Sequence, residues 1–247
     1  MSGLEVDVEG PVAYLTLNRP EVANAIDRGL ARELRDAVHA LGADVRVIVL
    51  AARGSVFCAG GDLRDVMSGP DPAERIHELA TDLHDALLAL DASDAVTIAA
   101  VGGAAAGAGL GVVLHADVVI ASVNARFLTA YEALSVTPDA GVTDLLPRTI
   151  GLHRALRMSV LGERIDAQTA YAWGLVAEVV APDHLDARVR ELAGSLAAHD
   201  TGHLARTRRL YREPVPRHAE RLDREADQIR ESVLSESARA RLARFRT

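Results

Sequence analysis

Apolar and polar residues alternate from Leu4 to Glu9 and again from Val12 to Asn18 around Gly10-Pro11, a pattern that predicts a β-hairpin. Asn18-Arg19-Pro20 breaks it. The period then changes. Leu30, Leu34, Ala37, Val38 and Leu41 fall on one helical face, and Asp27 stands where an N-cap belongs. Val45 to Ala51 is apolar apart from Arg46 and of strand length, as expected for a strand covered on both faces. A loop from Arg53 to Leu63 and a turn at Gly69-Pro70-Asp71-Pro72 lead into a long amphipathic helix, Ala73 to Leu90.

Val96 to Leu114 has a different character. The apolar run Val96 to Val101 feeds a segment of only Gly and Ala, Gly102 to Gly109, and then the helix-compatible Leu110 to Leu114. Side chains this small let something approach the backbone. Either a strand and a helix cross tightly here, or backbone N–H groups at a helix start face an anion or a developing oxyanion. Asp117 to Ser122 and Arg126-Phe127 are further extended pieces. Pro138-Asp139-Ala140-Gly141 is a turn before a helix to about Ile150, with Thr143 a candidate cap. His153 to Leu161 is helical and ends at Gly162. Asp166 caps a helix to Trp173 that stops at Gly174, and Val176 to Val180 is a short strand. Beyond Pro182 the pattern is helical, with breaks expected near Thr201-Gly202 and Pro214-Val215-Pro216. Strands alternating with helices indicate an α/β chain with crossover helices. No fixed-period repeat is visible.

Composition narrows the chemistry. The 247 residues are 49% hydrophobic and only 3% aromatic, so the core is aliphatic and base stacking on single-stranded nucleic acid is disfavoured. A net charge of −8 argues against nucleic acid as a partner, and no apolar run is long enough for a membrane span. The N-terminus shows neither a basic region nor an apolar signal core, so a cytoplasmic protein is expected. Every basic residue apart from histidine is Arg, which removes Schiff-base, pyridoxal-phosphate and Walker A chemistry. The single Cys58 forms no intramolecular disulfide and has no evident base partner; His77, His84 and His153 lack metal-ligand spacing, so no metal is expected. His115 and Asp117 read as a structural pair. Gly107-Ala108-Gly109 suggests a dinucleotide fingerprint, but the third glycine would fall at Val112, so no nicotinamide cofactor is expected. The Arg-rich tail, Arg206 to Arg246, reads as a solvated helical face with i,i+4 ion pairs, or alternatively as a subunit contact or an anchor for a phosphorylated ligand.

FCAGGDL, AAVGGAAAGAGLGVVLHADVVIA and PDAG with LLPRTIG, together with NRPEVANAID and LGERIDAQTAYAWGLVAEVV, resemble the enoyl-CoA hydratase/isomerase (crotonase) family from about Leu4 to Val180. The resemblance implies a spiral of ββα units over residues 1–195. It also implies a C-terminal helical segment, 196–247, used in trimerisation, and a homotrimer or a hexamer built from two trimers. The implied ligand is an acyl-CoA thioester, CoA being part of the substrate and not a separate cofactor. Gly61 and Ala108 match the two backbone oxyanion donors. Ala59 matches the adenine contact, and Arg19 or Ala23 lies near the CoA phosphates. Asp62 and Leu63, directly after the first donor, are further candidates for the substrate or CoA site, Asp62 fixing its own loop rather than reacting, and Tyr131 and Thr137 are candidates for the acyl pocket.

The departures from the family pattern carry the functional expectation. The two glutamates of the hydratases fall at Gly111 and Tyr131, and Glu132 is one place off. Asp139 stands where family isomerases, the 1,2-epoxyphenylacetyl-CoA isomerase group among them, carry a single acid. The expected activity is therefore a double-bond shift or ring rearrangement of a CoA thioester, with Asp139 as acid and base and an apolar pocket raising its pKa. The alternatives are hydration, another crotonase-type hydrolysis or lyase reaction, or acyl-CoA binding without catalysis. The competing role for Asp139 is to cap the helix that opens near Gly141.

Overall fold

The computed structural model describes residues 2–199, 201–212 and 218–245. β1 (Leu4–Glu9) and β2 (Val12–Leu17) form the expected antiparallel hairpin. Asp27 caps α1 (Arg28–Ala40), its side chain accepting from Leu30 N–H.

Three strand pairs follow, and each pair divides between two sheets. β3 (Val47–Ala52), β5 (Val96–Val101) and β7 (Val118–Ser122) extend the hairpin into a large sheet of order β1-β2-β3-β5-β7-β10, with β10 spanning Glu178–Val180. β4 (Val56–Cys58), β6 (Ala104–Ala106) and β8 (Arg126–Leu128) build a small sheet of order β4-β6-β8-β9, with β9 the two residues Ile165–Asp166. β2, β3, β5, β7 and β10 run parallel, as do β4, β6 and β8, so each long connection is a crossover. This is the spiral of ββα units that the resemblance implies. The repeat lies in geometry and not in residue identity, which is why no sequence period marks it. One corner requires a glycine: a Cβ on Gly103 would lie 1.9 Å from Ser55 O, where successive turns of the spiral touch.

β5, apolar apart from the buried Thr97, is covered on both faces. Ile98 and Ala100 pack toward α8 (Leu185–Ala197) through Val189, Ala193 and Ala197, while Ala99 and Val101 face the main core. That core lies between the large sheet and the helices α2 (Leu63–Met67), α3 (Pro72–Ala92), α4 (Ala108–Leu114), α5 (Val142–Ile150) and α6 (Leu152–Leu161). α7 (Ala167–Ala172) is capped by Asp166, as expected.

The tail departs from expectation. α9 (Thr201–Arg212) starts where a break is expected, and Pro214 and Pro216 lie outside the described residues. Arg208 is buried and not solvated. Its guanidinium donates to Asp117 at 2.7 Å, Leu90 O at 2.8 Å, Asp91 O at 2.9 Å and Ser93 O. Arg212 adds Asp117 at 2.7 Å, His115 O at 2.5 Å and Asp91. Arg208 and Arg212 thus bind carboxylates and carbonyls around the C-terminal end of α3, where the helix dipole favours a cation, while Arg206, Arg209, Arg224, Arg230, Arg239 and Arg241 are exposed as expected. His115 pairs with Asp91 at 3.0 Å, while Asp117 is held by the two arginines. Beyond this clamp α10 (His218–Val233) lies along α3, burying Leu222, Ala226, Ile229 and Val233, and α11 (Glu236–Leu242) follows. Among the described residues, no helix is long and apolar enough to cross a membrane.

Candidate active site

Two loops meet above the junction of β4 and β6. Gly60 has φ +100°, and a Cβ there would lie 3.1 Å from Ala106 O and 3.5 Å from the Ala108 nitrogen. Gly107 enters α4 with φ 54° and ψ −125° and brings no capping side chain. Among the described residues, the Gly61 and Ala108 N–H groups have no acceptor within the protein. Their neighbours do: Asp62 N–H donates to Ile26 O at 2.7 Å and Gly107 N–H to Leu128 O at 3.2 Å. Both open N–H groups belong to residues lining one cavity.

The remaining walls of that cavity are aliphatic, with Leu63, Ile76, Leu79 and Leu83 from α2 and α3, Leu134 and Val136 from the loop after β8, and Ile229 from α10. Two polar side chains face each other in it. The Tyr131 hydroxyl donates to Asp139 Oδ1 at 2.5 Å, and both residues are buried. Burial pushes the Asp139 carboxyl up from 3.8 to about 6, against the opposing hydrogen bond from Tyr131. Burial, and next the charge of Asp139, hold the Tyr131 phenol well above its ordinary 10, so it remains a donor at neutral pH. Asp139 does not cap α5. The cap position belongs to Gly141, and only the main-chain oxygen of Asp139 bonds into the helix start, accepting from Val142 N–H at 3.1 Å.

The first turn of α5 is capped from elsewhere. Glu225, buried on α10, accepts from Gly141 N–H at 2.8 Å, from Thr143 N–H at 3.2 Å and from the Thr143 hydroxyl. Thr143, the expected cap, is therefore held by a cap and does not act as one. Burial raises Glu225 from 4.5 to about 7, against the hydrogen bonds it accepts. Ala140 N–H donates to Nε2 of the buried His84 at 3.1 Å. Neither Glu225 nor His84 is marked by a local motif; each is an ordinary amphipathic-helix position whose partner lies far away in the chain.

The other expected residues separate into groups. Ala59 and Leu63 line the cavity, and Ala59 N–H donates to Ala23 O at 3.1 Å. Asp62 caps α2 through Asp65 N–H and accepts from Arg19 at 3.1 Å. Arg19 also holds Asp27 at 2.9 Å and Ala25 O at 2.6 Å, so its guanidinium is committed to the protein, and it does not line the cavity. Thr137 lies 3.3 Å from the Ser232 hydroxyl. The Cys58 thiol is buried and pushed up to about 12, which removes it as a nucleophile. Glu132 packs against Gly162 and is absent from the cavity wall. Gly111 is closed to any side chain: a Cβ there would lie 2.5 Å from Ala140 Cβ and 2.6 Å from Ala140 O.

The enoyl-CoA hydratase/isomerase family model matches residues 7–245. The chain belongs to the enoyl-CoA hydratase/isomerase family. It is 38% identical over 196 residues to a probable enoyl-CoA hydratase of Rhodobacter capsulatus, covering 77% of this chain and 75% of that one. It is 36% identical over 198 residues to the 1,2-epoxyphenylacetyl-CoA isomerase of Escherichia coli, covering 78% and 76%. The crystal structure of an enoyl-CoA hydratase from Mycobacterium avium subsp. paratuberculosis superposes with a TM-score of 0.89 at 28% identity, over 98% of each chain. Among the described residues that line the cavity, Tyr131 offers no carboxylate and Asp139 is the one acid; Gly111 lies outside that lining.

Proposed function

We propose that this family member is an acyl-CoA isomerase that moves a double bond through an enolate. The observation that carries the reading is Asp139, the one carboxylate among the described residues lining the cavity, which it shares with the open N–H groups of Gly61 and Ala108. A thioester oxygen placed between those two donors gains little as a neutral carbonyl and much as an enolate, which is the differential stabilisation catalysis requires; one such donor is worth roughly 3 kcal/mol. Asp139 takes the proton from the carbon alpha to the thioester of a 3-enoyl-CoA. The C–H electron pair moves into the dienolate, and the same proton returns to the gamma carbon, giving the conjugated 2-enoyl thioester. One carboxylate suffices, and Tyr131 holds one of its oxygens while the other transfers the proton. A pKa of about 6 suits a group that must accept and return a proton.

The name of the Rhodobacter capsulatus relative favours hydration as the second reading. Against it stand the absence of carboxylates at Gly111 and Tyr131 and the Ala140 backbone pressed onto Gly111. We place the CoA moiety over Ala59, with Arg19 ordering the loop through Asp62 and Asp27. The ligand is an acyl-CoA with an aliphatic or compact apolar acyl group. We also propose self-association into a trimer or a hexamer, supported by Leu152, Leu156 and Val160, which form an exposed apolar row along α6.

The deciding experiment incubates wild type and Asp139→Asn with a 3-enoyl-CoA and reads conjugation by absorbance and product mass. Isomerase activity lost in the variant upholds the reading. A gain of water, release of free CoA or equal turnover by both proteins overturns it.

A further inference from the structure

We propose that Glu225 is a positioning residue for Asp139, so that the C-terminal helix α10 is part of the catalytic unit. The inference rests on the isomerase reading above. Ala140 and Gly141 have φ of 53° and 76°, two consecutive left-handed residues directly after Asp139. For Ala140 this conformation is strained, and strain of this kind persists only where the surroundings over-determine the backbone. The surroundings here are two buried side chains from different helices. His84 of α3 receives the Ala140 N–H, and Glu225 of α10 receives the Gly141 and Thr143 N–H groups, 84 and 82 residues away in sequence. α5 supplies no cap of its own, so Glu225 also takes the place that a Ser, Thr or Asp usually fills.

The clamp reaches the reacting group over a short path. Fixing the peptide planes of Ala140 and Gly141 fixes the direction in which the Asp139 Cα–Cβ bond leaves the chain. Tyr131 then restrains the carboxylate itself. Ile229, one helical turn beyond Glu225 on the same face, lines the cavity, so docking of α10 closes the pocket and sets the base in one step. A buried carboxylate costs desolvation that its hydrogen bonds offset, and those bonds go to the Asp139 turn and its continuation.

Glu225→Gln tests this, since the amide keeps the shape but sets an NH2 group against one of the N–H donors. Wild type, Glu225→Gln and the exposed control Arg230→Ala are compared by steady-state kinetics on a 3-enoyl-CoA and by hydrogen exchange. The expected result is a kcat for Glu225→Gln lower by about 10–100-fold, with KM changed less than about twofold. Exchange should quicken in residues 139–145 and stay unchanged in β5, and Arg230→Ala should match wild type throughout. A Glu225→Gln protein with wild-type kcat and wild-type protection of 139–145 overturns the proposal. So does a loss of protection spread equally over β5, which would make Glu225 a general stability residue. If wild type fails to turn over the 3-enoyl-CoA, the isomerase reading falls, and the exchange comparison still decides whether Glu225 holds the turn.

Discussion

The Ala140 methyl and carbonyl occupy the space that a side chain at Gly111 would need, with an added Cβ only 2.5 and 2.6 Å from them. The missing glutamate is thus built into the backbone path, because the turn carrying Asp139 fills its place. Gly111→Ala should destabilise the fold by about 1–3 kcal/mol through overpacking, read as a lower urea midpoint. Gly111→Glu should not create a hydratase, and it should reduce isomerisation further by displacing the Asp139 turn. A stable Gly111→Glu protein that hydrates a 2-enoyl-CoA would contradict this geometry.

The isomerase reading also fixes a pH dependence. Asp139 must be ionised to accept a proton, and its carboxyl titrates at about 6. Plotted against pH, kcat/KM should fall on the acid side with a midpoint near that value. The Tyr131 hydrogen bond opposes the effect of burial, so Tyr131→Phe should move the acid limb to higher pH and cost most of its activity below neutrality.

Asp139 should also cost stability. Its folded pKa lies above the ordinary 3.8, so between those values the folded state holds more protons than the unfolded chain, and stability falls as pH rises through about 6. Asp139→Asn is neutral throughout. It should be more stable than wild type above that range, by up to about 3 kcal/mol, and equal to it below about pH 4. Denaturant titrations at two pH values check both ends.

Arg208 ties the tail to the core. Arg208→Met leaves Asp117 with one cation fewer and removes a donor from each of the carbonyls of Leu90, Asp91 and Ser93. The expected loss is about 3–5 kcal/mol, the range for breaking a buried pair from one side. Hydrogen exchange should quicken first in α9 and α10, and activity should fall with the docking of Ile229.

The exposed row on α6 predicts association. Leu156→Arg places a cation amid Leu152 and Val160 and should shift the protein toward monomer in sedimentation velocity, with the fold intact by circular dichroism. A wild-type protein that sediments as a monomer would remove the proposal.

Much of this chain follows from its sequence because the forces concerned are local. Alternation places β1 and β2, a helical period with Asp27 places α1, and Asp166 and Gly174 bound α7, each through contacts within a few residues. The lack of a carboxylate at Gly111 and the presence of Asp139 are likewise plain from the motifs. Tertiary structure decided what those residues do. Whether Asp139 caps a helix or faces Tyr131 depends on the left-handed turn at Ala140 and Gly141. That turn depends on His84 and Glu225, which only the packing of α3 and α10 brings to it. Charge pattern reports the surface an isolated helix would show, and it holds for most of the tail arginines but not for Arg208. Arg208 is buried because carboxylates and carbonyls from distant segments converge on it. The small-residue stretch from Gly102 to Gly109 fixed by itself that something must approach the backbone. The fold determined what comes near: the Gly60 loop on one side and, on the other, the cavity that holds Asp139.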